Sequence, residues 1–152
     1  MAADATKLIV DNRRARFNYD LLERIEAGIV LTGTEVKSLR AGKLNLVDSF
    51  CHVDSDGAMY LVGAHIAPYL PGSRFNPDPA RPRKLLLHKG EIERLDARVR
   101  EKGLTLIPTR VYFKKGRVKV EVALARGKKL HDKRESIKAR DLDQELRRSL
   151  VR

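Results

Sequence analysis

Cysteine occurs once in these 152 residues and tryptophan not at all. The single thiol, Cys51, can build neither an internal disulfide nor a cysteine-rich zinc site, which points to a reducing, cytoplasmic compartment. Aromatics are scarce as well, four Tyr and four Phe, few for a surface that would bind single strands by stacking bases. Long hydrophobic runs are missing: residues 1–7 carry no apolar leader-like stretch, and runs such as residues 28–31 are too short to cross a bilayer. The last shortage is of negative charge. Asp and Glu total 20 against 32 Lys plus Arg, a formal net charge of +12, and the acids are scattered among basic residues as on a solvated surface.

Such an excess of cations calls for an anionic partner. Nucleic acid fits first, because Lys and Arg contacts to phosphate release condensed counterions and gain affinity without reading bases. A membrane is disfavoured, since no long amphipathic helix with a Trp, Phe and Leu face is present. Hydrophobic residues make up 42% of the chain. At this length a folded domain buries roughly 68–70% of its unfolded surface without needing a metal or disulfide. Charge divides the chain in two. Residues 1–125 hold 22 basic and 15 acidic residues, whereas residues 126–152 hold 10 and 5 with few apolar positions. The expectation is a body over 1–125 and a basic C-terminal tail over 126–152.

Alternation with period two dominates the body. In residues 117–125, Val118, Val120, Val122 and Leu124 face one way and Arg117, Lys119, Glu121 and Ala123 the other. Residues 104–113 form a second strand, joined to it through the turn signal Lys115-Gly116. Another hairpin is expected over 46–66 around Asp54-Ser55-Asp56-Gly57, and residues 7–10 and 19–31 bring the total to about six strands, with a bulge expected at Gly28. Two helices are predicted. Thr32-Gly33-Thr34-Glu35 reads as a capping box with Gly42 past the end, and residues 88–102 place Ile92, Leu95 and Val99 on one side before Gly103. Strands with so few helices to cover them bury their apolar faces against one another. A mainly β fold is therefore expected: a small closed OB-fold-like antiparallel barrel with two short helices. Residues 68–82 contain five prolines and, with Arg74, Phe75 and Arg81, read as a contact loop.

Catalytic readings fail on geometry. Cys51 and His52 are neighbours in a strand and leave on opposite faces, so they cannot form a nucleophile and base pair. His52, His65, His88 and His131 have no metal-ligand spacing, and Gly42-Lys43 lacks both the spacing and the following Ser or Thr of a phosphate loop. No enzyme, metal or cofactor is expected.

Five stretches, in order, resemble one family. They are residues 12–16 (Asn-Arg-Arg-Ala-Arg), 26–28 (Glu-Ala-Gly), 33–40 (Gly-Thr-Glu-Val-Lys-Ser-Leu-Arg), 83–88 (Arg-Lys-Leu-Leu-Leu-His) and 127–134 (Gly-Lys-Lys-Leu-His-Asp-Lys-Arg). The pattern is similar to that of the SsrA-binding proteins, small protein B, which partner transfer-messenger RNA (tmRNA) in bacterial trans-translation. The resemblance implies an OB-fold barrel that binds the tRNA-like domain of tmRNA and delivers it to stalled ribosomes. It also implies a tail that probes the empty messenger channel near the small-subunit decoding centre. Carried over residue by residue, RNA contacts fall on Glu26, Leu86, His88 and Lys119, with Asn12, Arg13, Arg14 and Arg16 on the backbone. Gly127, Lys128, Lys129, His131, Asp132, Lys133 and Arg134 would belong to the ribosome-contacting tail. Two departures stand out: Phe50 replaces a usual Tyr, and Pro77 stiffens its loop.

Each of these residues also has a plainer reading. Leu86 sits in an apolar run, 85–87, and reads as core. His88 can cap its helix, and Glu26 can pair with Arg24 or Arg16. Lys119 and the Arg13-Arg14 cluster can be ordinary solvated cations. The tail's apolar residues only loosely share a helical face. An isolated helix of that length is marginal in water, so the tail is expected to be disordered when free and helical when bound to the ribosome.

Overall fold

The computed structural model describes residues 6–70 and 76–128. In chain order the elements are β1 (Thr6–Asp11), α1 (Arg13–Asn18), β2 (Tyr19–Ile29), α2 (Gly33–Arg40), β3 (Leu44–Asn45), β4 (Phe50–Val53), β5 (Met59–Val62), β6 (His65–Ile66), β7 (Arg83–Leu86), α3 (Lys89–Lys102), β8 (Thr105–Lys114) and β9 (Arg117–Gly127). The expected ribosome-contacting residues Lys129, His131, Asp132, Lys133 and Arg134 lie outside the described residues, as do Arg74 and Phe75 of the proline-rich loop.

Every strand pairing is antiparallel, and six strands close on themselves in the order β8-β4-β5-β7-β2-β9, with β9 returning to β8. This is the small closed mainly β arrangement that the alternation pattern implied. The hairpin of β8 and β9 carries it. Lys115 and Gly116 both have positive φ, 52° and 76°, as a two-residue turn between twisted strands requires, and so Lys114 pairs with Arg117. Val118, Val120, Val122 and Leu124 then point inward and are buried, where they meet Met59, Leu61, Leu85, Leu95 and Leu106.

Membership of the ring departs from expectation. β1 lies outside it, paired only with β8, and the sixth place belongs to β7. A strand opening on Arg83-Lys84 does not read as buried, yet it alternates in-out from a fully buried Arg83 to an exposed Leu86. Gly28 is not a bulge. The irregularity in β2 falls between Leu21 and Glu23, and Gly28 stays in register with neighbours on both sides. The 46–66 segment gives only β4 and β5 to the hairpin, while β6 pairs with β3. A third helix, α1, is also present. Its six residues have no apolar period to announce it, and Asn12 at its start donates from its amide to the Pro108 carbonyl at 2.8 Å instead of capping it. Ala15 of α1 covers Ala123 and Ala125, which face outward from β9 but are fully buried because small side chains let a helix lie on them.

α2 begins with the predicted capping box, Thr32 and Glu35 bonding reciprocally. Its Glu35 departs from the picture of surface carboxylates. It is 3% exposed and accepts from Arg83 at 2.8 and 2.7 Å and from Arg81 at 2.5 and 3.2 Å. The remaining Arg83 donors reach the carbonyls of Ala64 at 2.9 Å and Pro79 at 2.8 Å. Burial alone would raise the Glu35 pKa. The bonds from Arg81, the Thr32 N–H and Arg83 outweigh it and hold the carboxyl below its ordinary value.

A carboxylate depressed in the folded state contributes stability above its unfolded pKa, and that contribution disappears as pH falls through the folded value. Glu35→Gln is therefore expected to lower the unfolding free energy at neutral pH by about 3–5 kcal/mol, since it leaves Arg83 buried without its counter-charge. The variant should also lose part of the wild-type decline in stability below about pH 4.5. Urea unfolding across pH measures both effects.

Candidate nucleic-acid interface

The register of the sheet assembles the site. Reading outward-facing positions across neighbouring strands, Leu86 on β7 sits beside Gly28 on β2, Gly28 beside Lys119 on β9, Lys119 beside Tyr112 on β8, and Tyr112 beside Leu8 on β1. Five strands thus contribute one row, about 19 Å wide at ordinary strand spacing. Leu86 is 52% exposed, which removes it from the core; Leu85 takes that place at 1%. Leu8 is 56% exposed at the row's other end.

Gly28 makes the row possible. A Cβ built there would stand 3.2 Å from Leu86 Cβ, so a side chain on β2 would crowd Leu86. With glycine in place, Leu86, Lys119, Arg117, Ile29, Leu31 and Val36 line a shallow depression of about 300 Å³. An apolar floor with cations at its rim can take the sugar and base edges of a folded polynucleotide while lysine and arginine meet phosphate.

Two residues before Gly28 on β2, Glu26 has a partner the sequence did not suggest. The Tyr112 hydroxyl donates to its Oε2 at 2.5 Å, and Lys114 Nζ approaches the same oxygen at 3.4 Å. Neither Arg24 nor Arg16 pairs with it; Arg16 bonds Asp11 at 2.7 Å. The Tyr112 hydroxyl, acting against a smaller opposing effect of burial, together with Lys114 and Lys119, holds the Glu26 carboxyl below its ordinary value. Burial first, and then the bond and charge of Glu26, push the Tyr112 phenol above its usual range, so it remains a donor. Sequence reasoning missed Tyr112, Lys114 and Gly28. The two-residue turn at Lys115-Gly116 fixes the pairs 114/117 and 112/119 and would have placed Tyr112 beside Lys119.

Lys119, Leu86 and Glu26 are therefore brought together. His88 stands two residues beyond Leu86 as the exposed N-cap of α3, where Glu91 accepts from its backbone N–H at 3.2 Å. Asn12, Arg13, Arg14 and Arg16 are not part of this group. They belong to the start of α1, over Ala123 and Ala125, roughly 13–20 Å along β9 from Lys119. Arg13 and Arg14 are exposed there. Gly127 ends β9 opposite Tyr19, and the Lys128 N–H donates to the Asn18 carbonyl at 2.9 Å. Arg126 and Gly127, which the charge count put in the tail, are thus strand residues.

Cys51 and His52 stand apart for a physical reason. Cys51 is buried and burial pushes its thiol well above the ordinary value, while His52 points to solvent from the next position. His52 pairs with Tyr60 and His65 with Asn45, so the two do not face each other. No group of three metal-ligating side chains occurs among the described residues, and none of their helices is long and apolar enough to cross a membrane.

The chain is similar to known proteins along nearly its whole length. Residues 9–152 match a family model described as "SmpB protein". The SsrA-binding protein of Desulforudis audaxviator (strain MP104C) is 57% identical over 149 residues, 98% of this chain and 97% of that one. The SsrA-binding protein of Syntrophomonas wolfei subsp. wolfei (strain DSM 2245B / Goettingen) is 58% identical over 144 residues, 95% and 91% of the two chains. A solved structure described as "tmRNA-SmpB: a journey to the center of the bacterial ribosome" superposes with a TM-score of 0.68 at 53% identity, covering 84% of this chain and 93% of that one.

Gly28→Val tests the packing of the row. The added side chain meets Leu86 at its backbone-fixed Cβ, so a destabilisation of about 1–3 kcal/mol is expected, together with displaced Leu86 methyl signals. Urea unfolding and methyl NMR of the free protein read the two.

Proposed function

Because the chain belongs to the SmpB protein family, matched along nearly its whole length, we propose that it is an RNA-binding adaptor and not an enzyme. It binds tmRNA through its tRNA-like domain and carries it to stalled ribosomes for trans-translation. The observation that carries this reading is the cross-strand row in which Leu86, the gap at Gly28, Lys119 and Tyr112 form one outward surface with Glu26 beside it. Working on the ribosome, it acts in the cytoplasm.

The roles within the row follow from chemistry. Lys119 meets phosphate, Leu86 gives apolar contact to a ribose or base, Glu26 accepts from an N–H or ribose hydroxyl, and His88 stacks or hydrogen-bonds at the α3 end. Arg13, Arg14 and Arg16, on the helix that Asn12 anchors, supply a second cationic contact nearer the end of β9. Residues from Gly127 and Lys128 through Lys129, His131, Asp132, Lys133 and Arg134 then extend toward the decoding centre and messenger channel.

A sequence-tolerant single-strand binder is the rival reading, and it lacks stacking platforms. Phe50 is the only exposed aromatic among the described residues, and the Tyr112 hydroxyl is committed to Glu26.

For about five engaged phosphates, log affinity against log salt should fall with a slope on the order of −4, and Lys119→Ala should weaken binding severalfold and make that slope shallower by about 1. Filter binding to the isolated tRNA-like domain at several salt concentrations measures this, and unchanged affinity removes Lys119 from the interface. Truncation after Lys128 should leave that binding mostly intact while abolishing rescue of ribosomes stalled on a message without a stop codon. Retained rescue would contradict the role given to the tail.

A further inference from the structure

The outward face around Glu26 contains a hydrogen-bond arrangement that RNA contact by itself does not require. Glu26 projects from β2. From β8 it is faced by Tyr112 and Lys114 of the neighbouring rows and by Arg110 at the far side of its own row, and from β9 by its cross-strand neighbour Glu121 and by Lys119. Both contacts, the Tyr112 hydroxyl at 2.5 Å and Lys114 Nζ at 3.4 Å, fall on the same oxygen, Oε2. A carboxylate oxygen offers about two lone-pair directions, so these donors fill Oε2. Oε1 has no partner among the described residues, and the Glu26 side chain is 36% exposed.

We propose that Tyr112 is a positioning residue of the RNA site: with Lys114 it saturates one oxygen of Glu26 and fixes the carboxylate so that Oε1 alone is presented to an N–H or ribose hydroxyl donor of the bound RNA. This rests on the reading of Glu26 as an RNA contact. A glutamate on an exposed strand otherwise samples several rotamers, and ordering it on binding costs affinity. The hydroxyl of Tyr112 removes that freedom beforehand, because the aromatic ring is held in the row between Leu8 and Lys119 while its oxygen crosses to β2. Lys114 adds charge to the same oxygen, which keeps the acceptor ionised close to Glu121. The arrangement also selects. With Oε2 filled, the carboxylate can accept from one donor group, such as an exocyclic amino group or a 2′-hydroxyl. It cannot clasp two parallel donors with two free oxygens, as the N1–H and N2–H edge of guanine would need.

A double-mutant cycle on the full chain, with the isolated tRNA-like domain of tmRNA as probe, tests the proposal. Tyr112→Phe keeps the ring and deletes only the hydroxyl, so the fold is retained. We expect Tyr112→Phe and Glu26→Gln each to weaken binding about tenfold, and the double variant to be no weaker than Glu26→Gln alone. Lys114→Ala should act in the same way but less strongly. In the free protein, carboxyl NMR should show Glu26 titrating at higher pH in Tyr112→Phe than in wild type, a change that lost packing elsewhere would not produce. Independent, multiplicative effects of the two substitutions, or an unmoved Glu26 titration, would overturn the positioning role. If Glu26→Gln binds as wild type does, the proposal fails while the adaptor function stands. If wild type does not bind the domain at all, the functional reading fails first.

Discussion

Glu35 and Arg83 meet at one of the lightly paired seams of the ring of strands. β7 joins β2 through only two residue pairs and β5 through three, whereas β9 is paired along its length with β2 on one side and β8 on the other. Backbone hydrogen bonds alone hold β7 at few positions. The buried guanidinium of Arg83 compensates by tying β7 to α2 through Glu35, to Ala64, and to the segment before it through the Pro79 carbonyl. A buried ion pair is a poor source of net stability compared with apolar packing, but once present it is costly to break, because either partner left alone is a desolvated charge. That asymmetry gives the seam a defined geometry. No buried side-chain nitrogen or oxygen among the described residues lacks a partner, so the arrangement is satisfied throughout.

The position of β7 matters for the proposed function because Leu86 is its last residue and His88 follows at the head of α3. Leu86 reaches the cross-strand row only if β7 stays in register beside Gly28, and register follows from Arg83 pointing inward three residues earlier: the in-out alternation that buries Arg83 and Leu85 exposes Lys84 and Leu86. The buried Glu35 pair and the exposed surface are thus two consequences of the same alternation. α3 is held from the other side. Arg94 and Arg98 bridge to Glu23 on β2 at 2.7 and 3.0 Å, which keeps the His88 end close to the strand that also carries Glu26 and Gly28.

What could be read from the chain beforehand follows from the range over which each signal acts. The β8 and β9 hairpin, the capping box of α2 and the extent of α3 rest on local rules of period, turn chemistry and caps, and these appear as expected. β7 was illegible because its inward face starts with an arginine, and polarity says outward unless a carboxylate 48 residues earlier is known to be waiting. Ala123 reads as the outer side of β9, which is where it points together with Ala125; the burial of both depends on α1, too short to show a period. Of the candidate contacts, Lys119 follows from alternation, while the exposure of Leu86 and the pairing of Glu26 with Tyr112 depend on which strands become neighbours. That information is tertiary. Tyr112 and Glu26 are 86 residues apart in sequence and share a hydrogen bond.

β9 also sets the relation between the two regions that the proposed function separates. From Lys119 to Gly127 it runs eight residues, about 27 Å, without an unpaired stretch on the β2 side apart from the bulge near Leu22. A strand clamped between two neighbours transmits position faithfully, because shifting one residue would reverse every inward valine. The chain therefore leaves the body beside Asn18 and α1 at a fixed distance and direction from the row that carries Lys119 and Glu26. An RNA held on that row and a segment beginning at residue 129 are thus referred to one rigid frame, with Arg13 and Arg14 of α1 near the point of exit. An adaptor that must present a bound RNA in register with a second site needs a frame of that kind, and a single continuous strand paired on both sides is a short way to build one.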